Sequence, residues 1–531
     1  MEVLATRVDR RHESHDLNRR VMVQRLEEID RLTAAVRHGG SARAVERHRA
    51  RGRMLVRERV ELLVDPHEYF LELSPLAAWD ADYADGASLV TGVGVVSGVE
   101  CVFVGNDFTV RGGSINPYTM RKTLRAFEIA EQNRLPVIQL TESGGGDLPA
   151  QAESFVDGGR FFRDLSRLSR AGIPTVDVVF GNATAGGAYQ PGMSDYAVLI
   201  KQRSHVFLGG PPLVKMATGE DADPEELGGA DMHATVSGLA DYLAVDEHEA
   251  LRVTRTIVGH LNWRKQGGPP TRPADEPVHD PADLLGIASH DLKVPFDPRE
   301  VLARIVDGSR FEEFKPLYGR QLVTGWATLH GYPVGVLANH GVLMSEESEK
   351  AAQFIALCNQ IDTPLLFLQN TTGFVVGTEY ERGGITKNGS KMVRAVANST
   401  VPHVTVMTGA SYGAGNYGMS GRAYQPRFVF TWPNHRIGVM GPKQMSGVLS
   451  IVARGAAAAR GVPFDEDEDR RRREAIETQL ERESTALFAT GRLWDDGIID
   501  PRDTRTVVGI ALSCAHNGPV RGTTDFGPFR M

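Results

Sequence analysis

The sequence predicts an α/β fold made of two tandem copies of one domain, preceded by an N-terminal helical arm. Its 531 residues are too many for a single hydrophobic core of ordinary size. Glycine and proline motifs recur at a nearly constant distance along the chain. Short apolar runs that end in glycine-rich turns alternate with helical patterns, which is typical of a mostly parallel sheet covered by helices.

The repeat is carried by proline and glycine positions. Pro136 and Pro364 each precede an apolar run and lie 228 residues apart. The same offset joins Pro174 to Pro402, Gly181 to Gly409, and Gly187 to Gly415. It drifts to 233 for Thr91-Gly92 and Thr324-Gly325, and to 231 for Gly210-Pro211 and Gly441-Pro442. A stable offset that drifts at loops indicates a duplicated domain and excludes a short-period solenoid.

Residues 1–60 differ from the rest of the chain, with 15 arginines against nine acidic residues. Apolar residues at Val21, Leu26, Ile29 and Leu32 predict an amphipathic helix. Two interpretations of the arginines remain open. They form either a solvated face of a helix that packs on the body, or an arm in which Arg51 and Arg53 contact a phosphate.

A proline-rich stretch at about 265–290 is the candidate linker between the copies. We therefore predict an arm over 1–60, an N-terminal domain over 61–270 and a C-terminal domain over 290–531. In the N-terminal copy, Asn116 followed by Pro117 predicts the start of a helix. In the C-terminal copy, Ser345 starts a helix whose first turn is acidic.

Composition excludes several classes of protein. The net charge of −8 argues against a polybasic nucleic-acid binder. The three cysteines, Cys101, Cys358 and Cys514, form no CxxC pair, so neither a metal site nor a disulfide framework is expected. No run of 18 apolar residues is present, so no membrane span is expected. The first 16 residues resemble no leader peptide, and we expect a cytoplasmic protein.

Three glycine clusters follow predicted strands and are the candidates for chemistry. They are Ser143 to Gly146, Thr184 to Tyr189, and Ser411 to Tyr417. Residues without bulky side chains let backbone N–H groups approach a ligand oxygen, and two N–H groups aimed at one oxygen form an oxyanion hole. The alternative is that small residues only let helix and sheet pack closely.

Over residues 45–531 the sequence resembles the carboxyltransferase (beta) subunits of biotin-dependent acyl-CoA carboxylases, above all the 3-methylcrotonyl-CoA branch. The stretches that carry the resemblance are Asn370 to Phe374, Glu379 to Glu381, Gly383 to Ile385, Lys387 to Gly389, Tyr412 to Met419, Gly421 to Tyr424, Gly209 to Lys215, Gly228 to Asp231, and Trp494 to Pro501. The resemblance implies two crotonase-like domains, each a ββα superhelix.

The resemblance also implies a mechanism in which the cofactor supplies the base, so the protein needs no catalytic acid–base pair. By similarity, Gly144 and Gly145 hold the thioester oxygen of the acyl-CoA, while Ala414 and Gly415 hold the ureido oxygen of biotin. The remaining residues expected to bind cofactor are Gly186, Gly187, Ala188, Thr372, Gly373, Phe374, Tyr417, Arg51 and Arg53. His233, His340 and Lys387 lie in similar stretches without an assigned role.

Partners and substrate follow from the same resemblance. The chain has neither an ATP-grasp pattern nor a biotin attachment motif, which implies a separate biotinylated alpha subunit. Family members form beta hexamers, which would place Gly144 of one chain opposite Ala414 of another.

Asn370 to Phe374 departs from the Asp-x-Pro-Gly-Phe of propionyl- and acetyl-CoA members, and Tyr417 replaces an acidic or aliphatic residue. Both departures favour a branched unsaturated acyl group such as 3-methylcrotonyl-CoA, with geranyl-CoA, or another acyl-CoA such as propionyl-CoA, left open as alternatives.

Two other classes of function remain possible at this stage. A crotonase-type hydratase or isomerase would need carboxylates near the clusters, for which Glu142, Asp147 and Glu379 are the candidates. A beta-like subunit without catalysis would only complete an assembly.

Overall fold

The computed structural model describes residues 2–531 and contains two sheets with the same strand order. The strands of the first sheet are β2 (Phe70–Leu73), β3 (Leu89–Val96), β4 (Val99–Asn106), β5 (Val137–Ser143), β6 (Thr175–Thr184), β7 (Tyr196–Ile200), β8 (His205–Phe207) and β9 (Tyr242–Ala244). Those of the second are β1 (Glu2–Val3), β10 (Arg310–Phe314), β11 (Leu322–Leu329), β12 (Tyr332–Asn339), β13 (Gly341–Leu343), β14 (Leu365–Phe374), β15 (His403–Tyr412), β16 (Phe428–Thr431) and β17 (Arg436–Gly438).

Helices cover both sheets. Up to the linker they are α1 (Glu13–His38), α2 (Ala42–Ala50), α3 (Val56–Leu63), α4 (Pro117–Asn133), α5 (Gln151–Arg170), α6 (Tyr189–Met193), α7 (Pro211–Thr218), α8 (Pro224–Gly228), α9 (Ala230–Met232) and α10 (Glu247–His260). Beyond it they are α11 (Leu284–Ile287), α12 (Pro298–Leu302), α13 (Ser345–Gln360), α14 (Thr378–Arg382), α15 (Ile385–Asn398), α16 (Gly415–Gly418), α17 (Pro442–Ala459), α18 (Glu466–Glu483), α19 (Ala486–Gly491) and α20 (Thr504–Ala515).

The strand order shows the duplication directly. The first sheet runs β2-β3-β4-β5-β6-β7-β9, and the second runs β1-β10-β11-β12-β14-β15-β16. In each sheet an antiparallel hairpin leads into parallel strands, β4-β5-β6-β7 in one and β12-β14-β15-β16 in the other. This confirms the predicted α/β fold of two like domains with an N-terminal helix.

Single hydrogen bonds are duplicated as well. Asn106 accepts from the backbone N–H of Glu142, and Asn339 accepts in the same way from Asn370. The buried lysines of α4 and α13, Lys122 and Lys350, donate to the carbonyl oxygens of Leu89 and Leu322, the first residues of β3 and β11. Helix α4 begins after Asn116 and α13 begins at Ser345, as predicted.

The N-terminal arm lies across both halves. Its first strand, Glu2–Val3, pairs with β10 of the second sheet. Helix α1 buries Leu26 and Ile29, two of the predicted apolar positions, together with Met22. The arm therefore packs against the body through an apolar face.

The two halves share one core and a buried ion pair. Arg125 of α4 binds Asp496 of the second half through two hydrogen bonds of 2.7 and 2.8 Å. Within the candidate linker, Gly267 donates its N–H to His516 just beyond α20.

Among residues 2–531 no helix is long and apolar enough to cross a membrane. The same residues contain no group of three or more His, Cys, Asp or Glu side chains placed to hold a metal ion.

Candidate functional site

Each half has a glycine-containing turn at the carboxyl end of a central parallel strand. In the first half, β6 runs into a short 3₁₀ turn over Ala185–Ala188. In the second half, β15 is followed by the turn that starts α16 at Gly415. The carboxyl ends of parallel strands are where α/β proteins bind ligands, because the loops there leave a crevice.

Both turns present backbone N–H groups without a protein acceptor. Throughout the described chain, no hydrogen bond is made by the N–H of Gly186 or Gly187, nor by that of Ala414 or Gly415. The two pairs are equivalent positions of the repeat, 228 residues apart. Gly186 and Ala414 are exposed, so the N–H pairs lie at the surface of a crevice. Two such pairs can each stabilise negative charge on a ligand oxygen.

Gly144 and Gly145, the predicted acyl hole, both have acceptors within the chain for their N–H groups. Gly144 donates to the carbonyl oxygen of Gly112 at 2.9 Å. Gly145 donates to Oγ of Ser143 at 3.1 Å and holds a φ of +102°, which favours glycine. Gly145 thus shapes the bend after β5 and offers no donor to a ligand.

A cavity of about 620 Å³ opens in front of Gly186 and Gly187. Its lining is mainly apolar and includes Met120, Leu148, Phe155, Val156, Phe161 and Phe162. Asp147 also lines it. Ala188, predicted to bind cofactor, is buried in a core cluster with Val179 and Ala197 instead. The first half therefore combines an apolar cavity with a pair of free N–H donors.

A second cavity of about 690 Å³ borders Ala414 in the other half. Phe374 lines it, as the sequence predicted for a ligand contact. Thr372 is exposed beside it, whereas Gly373 is buried and gives its N–H to Oγ1 of Thr371 at 3.1 Å. Tyr417 is half exposed and stacks on Tyr424 with ring centroids 5.8 Å apart. No residue lines both cavities.

Gln369 on β14 supports the Ala414–Gly415 turn from beneath. Its amide Nε2 donates to the carbonyl oxygens of Asn416, within α16, and Met419, just beyond its end. Its Oε1 accepts from Ser411 and from the side chain of Asn416. Both polar atoms of the Gln369 side chain therefore hold the turn in place and fix the direction in which it presents its N–H groups.

Arg51 and Arg53 of the arm differ in exposure and in their contacts. Arg51 is exposed, as a phosphate contact requires. Arg53 instead forms an ion pair with the fully buried Glu142 at 2.5 Å, and Arg59 binds the same carboxylate at 2.7 Å. Arg53 is thus committed within the protein, contrary to the prediction. Glu142 is equally committed, which removes it as the acid or base of a hydratase.

The repeat itself indicates which glycines of the first half are equivalent to the Ala414–Gly415 turn. At an offset of 228, Gly187 corresponds to Gly415, whereas Gly145 corresponds to Gly373. Gly145 and Gly373 share both a positive φ and a bond to the hydroxyl two residues earlier. Had the second-half hole been mapped through the repeat, it would have pointed to Gly186 and Gly187. The supporting residue Gln369 had no such signal, since a strand glutamine has many roles.

A scan against family models matches residues 47–527 to the carboxyl transferase domain. The chain therefore belongs to the carboxyl transferase domain family, and its fold is that of a carboxyl transferase domain.

Individual relatives refine this likeness. The chain is 61% identical over the full length of both proteins to a probable biotin-dependent acyl-coenzyme A carboxylase beta2 subunit of Mycobacterium tuberculosis. It is 50% identical to the biotin-dependent 3-methylcrotonyl-coenzyme A carboxylase beta1 subunit of the same organism, over 95% of this chain and 96% of that one. Among solved structures, the beta subunit of geranyl-CoA carboxylase from P. aeruginosa matches with a TM-score of 0.91 and 43% identity, covering 99% of each chain.

Proposed function

We propose that the chain is the carboxyltransferase subunit of a biotin-dependent carboxylase that adds CO₂ to 3-methylcrotonyl-CoA. The observation that carries the proposal is the pair of equivalent turns with free N–H groups, one beside an apolar cavity. Transfer of a carboxyl group to an acyl thioester creates negative charge on two oxygens, one on the thioester and one on the cofactor's urea. Two separate holes match that requirement.

On the acyl side, Gly186 and Gly187 would donate to the thioester oxygen as it becomes enolate-like. Loss of a proton from the γ-carbon of a 3-methylcrotonyl group places charge on the same oxygen, because the conjugated double bond relays it. The apolar lining formed by residues such as Phe161 and Met120 would hold the branched acyl chain and exclude water. Arg51, exposed on the arm, remains the proposed contact for a phosphate of coenzyme A.

On the cofactor side, the Ala414–Gly415 turn fits a compact urea carbonyl. Its two N–H groups lack acceptors, and a Cβ built on Gly415 would lie 2.9 Å from Thr371, so only a residue without a side chain fits there. When bound, carboxybiotin carried by a biotinylated alpha subunit supplies the CO₂ and the base. Ala414 and Gly415 would donate to the urea oxygen, Phe374 would line the approach, and Tyr417 would flank it.

The two holes would meet between chains. They lie on different halves, and their cavities share no residue. Large apolar side chains stand exposed at the rim of the first cavity, with Leu148, Phe155 and Val156 each at least 74% exposed. Val439, beside the Ala414–Gly415 turn, is 72% exposed. Exposed apolar surface of this kind marks an interface, which supports a beta hexamer that pairs unlike halves.

The substrate can be tested with a panel of thioesters. The chain is co-expressed with a biotinylated alpha subunit, isolated on avidin, and assayed for fixation of labelled bicarbonate. We expect 3-methylcrotonyl-CoA to be carboxylated at least tenfold more efficiently than propionyl-CoA, with geranyl-CoA as the second candidate. A preference for propionyl-CoA would refute the branched substrate, and hydration of an enoyl-CoA without biotin would refute the carboxyltransferase.

A further inference from the structure

The proposed acyl-side turn is held from below by a buried polar network that includes an aspartate. Gln139 and Thr141 lie on β5, two residues apart, so their side chains point to the same face of the sheet. Asp177 lies on β6 and is paired with Gln139 in the strand register. All three residues are at most 1% exposed.

These residues tie down both ends of α6, the helix that follows Gly186 and Gly187. At its start, Gln190 donates through Nε2 to the hydroxyl of Thr141 at 2.8 Å. Just beyond its end, Ser194 accepts from Nε2 of Gln139 at 2.9 Å and donates to the carbonyl oxygen of Gln190 at 2.9 Å. The helix is thus joined to β5 by two side chains rather than one.

The side chains form a nearly closed ring in which each one donates a hydrogen bond to the next. One part runs from Gln190 through Thr141 to Asp177. The other runs from Gln139 through Ser194 back to Gln190. The hydroxyl of Thr141 donates to Oδ1 of Asp177 at 2.6 Å. The ring then lacks a single link, between Asp177 and Gln139. Each of these two paired residues has one buried acceptor, Oδ2 of Asp177 and Oε1 of Gln139, without a partner in the described chain. Two buried oxygens left without any donor are costly, and a single proton between them would supply the missing bond.

We propose that Asp177 is a neutral, proton-bearing positioning residue whose Oδ2–H donates to Gln139, which closes the ring and fixes the turn that presents Gly186 and Gly187. Asp177 touches neither cavity and takes no part in proton transfer to the substrate. Gln190, by contrast, lines the acyl cavity, so movement in the ring reaches the site directly. The role in carboxyl transfer rests on the proposed function, whereas the protonation state does not.

The surroundings of Asp177 favour the neutral form. Complete burial raises the pKa of Asp177 to about 7, and the hydrogen bond from Thr141 opposes this only in part. Its neighbours on β5 are the uncharged Gln139, its partner in the strand register, and Thr141, which donates to it. Its partner in the register of β7 is Ala197, also uncharged. No charged side chain is therefore in place to stabilise a carboxylate.

The second half performs the same task without an acid. Position 369, which corresponds to Thr141, is a glutamine that reaches the Ala414–Gly415 turn directly. The position that corresponds to Asp177 is Thr405, whose hydroxyl donates to the carbonyl oxygen of Ser420. The longer Gln369 side chain contacts its turn directly. In the first half the contact between strand and turn runs from Asp177 through Thr141 to Gln190. Support of the donor turn from the neighbouring strand is thus common to both halves.

The test uses infrared difference spectroscopy of the assembled enzyme, comparing wild type with Asp177→Asn at pH 6. We expect a band of a protonated carboxyl group that is present in the wild type and absent in the variant. Asp177→Asn should keep kcat within about twofold, because its amide donates to Gln139 and its oxygen accepts from Thr141. Asp177→Val, which can do neither, should lower kcat at least tenfold.

Asp195 provides the matched control. Its carboxylate accepts from Ser169 and from both the N–H and hydroxyl of Thr175, so it needs three acceptor contacts and no proton. Asp195→Asn should therefore destabilise the protein where Asp177→Asn does not. Absence of the protonated-carboxyl band, or inactivation by Asp177→Asn in a folded assembly, would overturn the inference. If the band is present while no variant carboxylates any acyl-CoA, the proposed function fails and the protonated aspartate stands.

Discussion

The N–H group of Gly145 donates to Oγ of Ser143 at 3.1 Å, and the N–H of Gly373 donates to Oγ1 of Thr371 at the same distance. The two bonds are equivalent in the repeat, and both close a bend at the end of a strand. They leave the neighbouring turns, at Gly187 and Gly415, as the places where N–H groups remain free. Comparison of the two copies thus distinguishes glycines that shape a bend from glycines whose N–H groups can bind a ligand.

Gly415 should tolerate no side chain, whatever its role in binding. A Cβ there would lie 2.9 Å from both Cγ2 and Oγ1 of Thr371 and 3.0 Å from Cα of Gly373. Overpacking of this kind typically costs about 1–3 kcal/mol. We expect Gly415→Ala to lower the thermal midpoint measurably in a melting experiment. Gly187→Ala should leave it unchanged, since no heavy atom beyond its chain neighbours lies within 4 Å of a Cβ at that position.

Arg51 and Arg53 should respond differently to truncation. Arg51→Ala should raise KM for the acyl-CoA several-fold without changing stability, because the side chain is exposed and free to meet a phosphate. Arg53→Ala removes one partner of the buried Glu142, which keeps Arg59, and should destabilise the fold by about 1–3 kcal/mol. Steady-state kinetics and thermal melts of both variants check this. Equal KM values for wild type and Arg51→Ala would contradict a phosphate contact.

The stability of the protein should depend on pH through Asp177. Burial raises the pKa of Asp177 to about 7, above the value of an aspartate in an unfolded chain. Between about pH 4 and pH 7 the folded state keeps a proton that the unfolded state releases, so stability falls as pH rises across that window. Melting curves from pH 5 to pH 8 should therefore show a steeper loss for the wild type than for Asp177→Asn. Parallel curves would be inconsistent with a raised pKa.

The rim of the first cavity should be needed for assembly. Phe155 is 84% exposed in the single chain, so Phe155→Glu has little to disturb within the fold. We expect the variant to lose both the oligomer and the activity, as measured by sedimentation velocity and bicarbonate fixation. Leu317 is 80% exposed and lines neither cavity, which makes Leu317→Glu the control that keeps both.

The fold could be predicted from the sequence because the repeat consists of prolines, glycines and capping residues, which have defined effects on the backbone. Pro136 and Pro364 precede equivalent strands, and Asn116 caps the helix that it was predicted to start. Such signals are local, since proline, glycine and capping residues act on their own segment of backbone. The predicted chemistry in the second half rested on the same kind of signal and places Ala414 beside a cavity.

The proposed donors of the first half could not be chosen from glycine content alone. Gly145 and Gly187 both follow a strand, and only the acceptor of each N–H distinguishes them, which depends on the three-dimensional positions of Ser143 and Gly112. The ion pair that engages Arg53 likewise joins residues 89 positions apart. Partners that are distant in sequence leave no local pattern, so these assignments required the structure.

The most direct test of the two-hole account compares Gly187→Val with Gly144→Val in the reconstituted enzyme. A Cβ at Gly187 meets no heavy atom within 4 Å, and one at Gly144 meets only the oxygen of Gly112 at an ordinary 3.5 Å, so the fold should tolerate both side chains. The Gly187→Val variant keeps the N–H of residue 187, but its side chain would keep the ligand oxygen away from it, and loss of an oxyanion contact lowers kcat about 10²- to 10³-fold. We predict a loss of that size in fixation of labelled bicarbonate onto 3-methylcrotonyl-CoA for Gly187→Val, with an unchanged melting curve, and less than a fivefold change for Gly144→Val. Full activity of Gly187→Val, or inactivation of a folded Gly144→Val, would contradict the account.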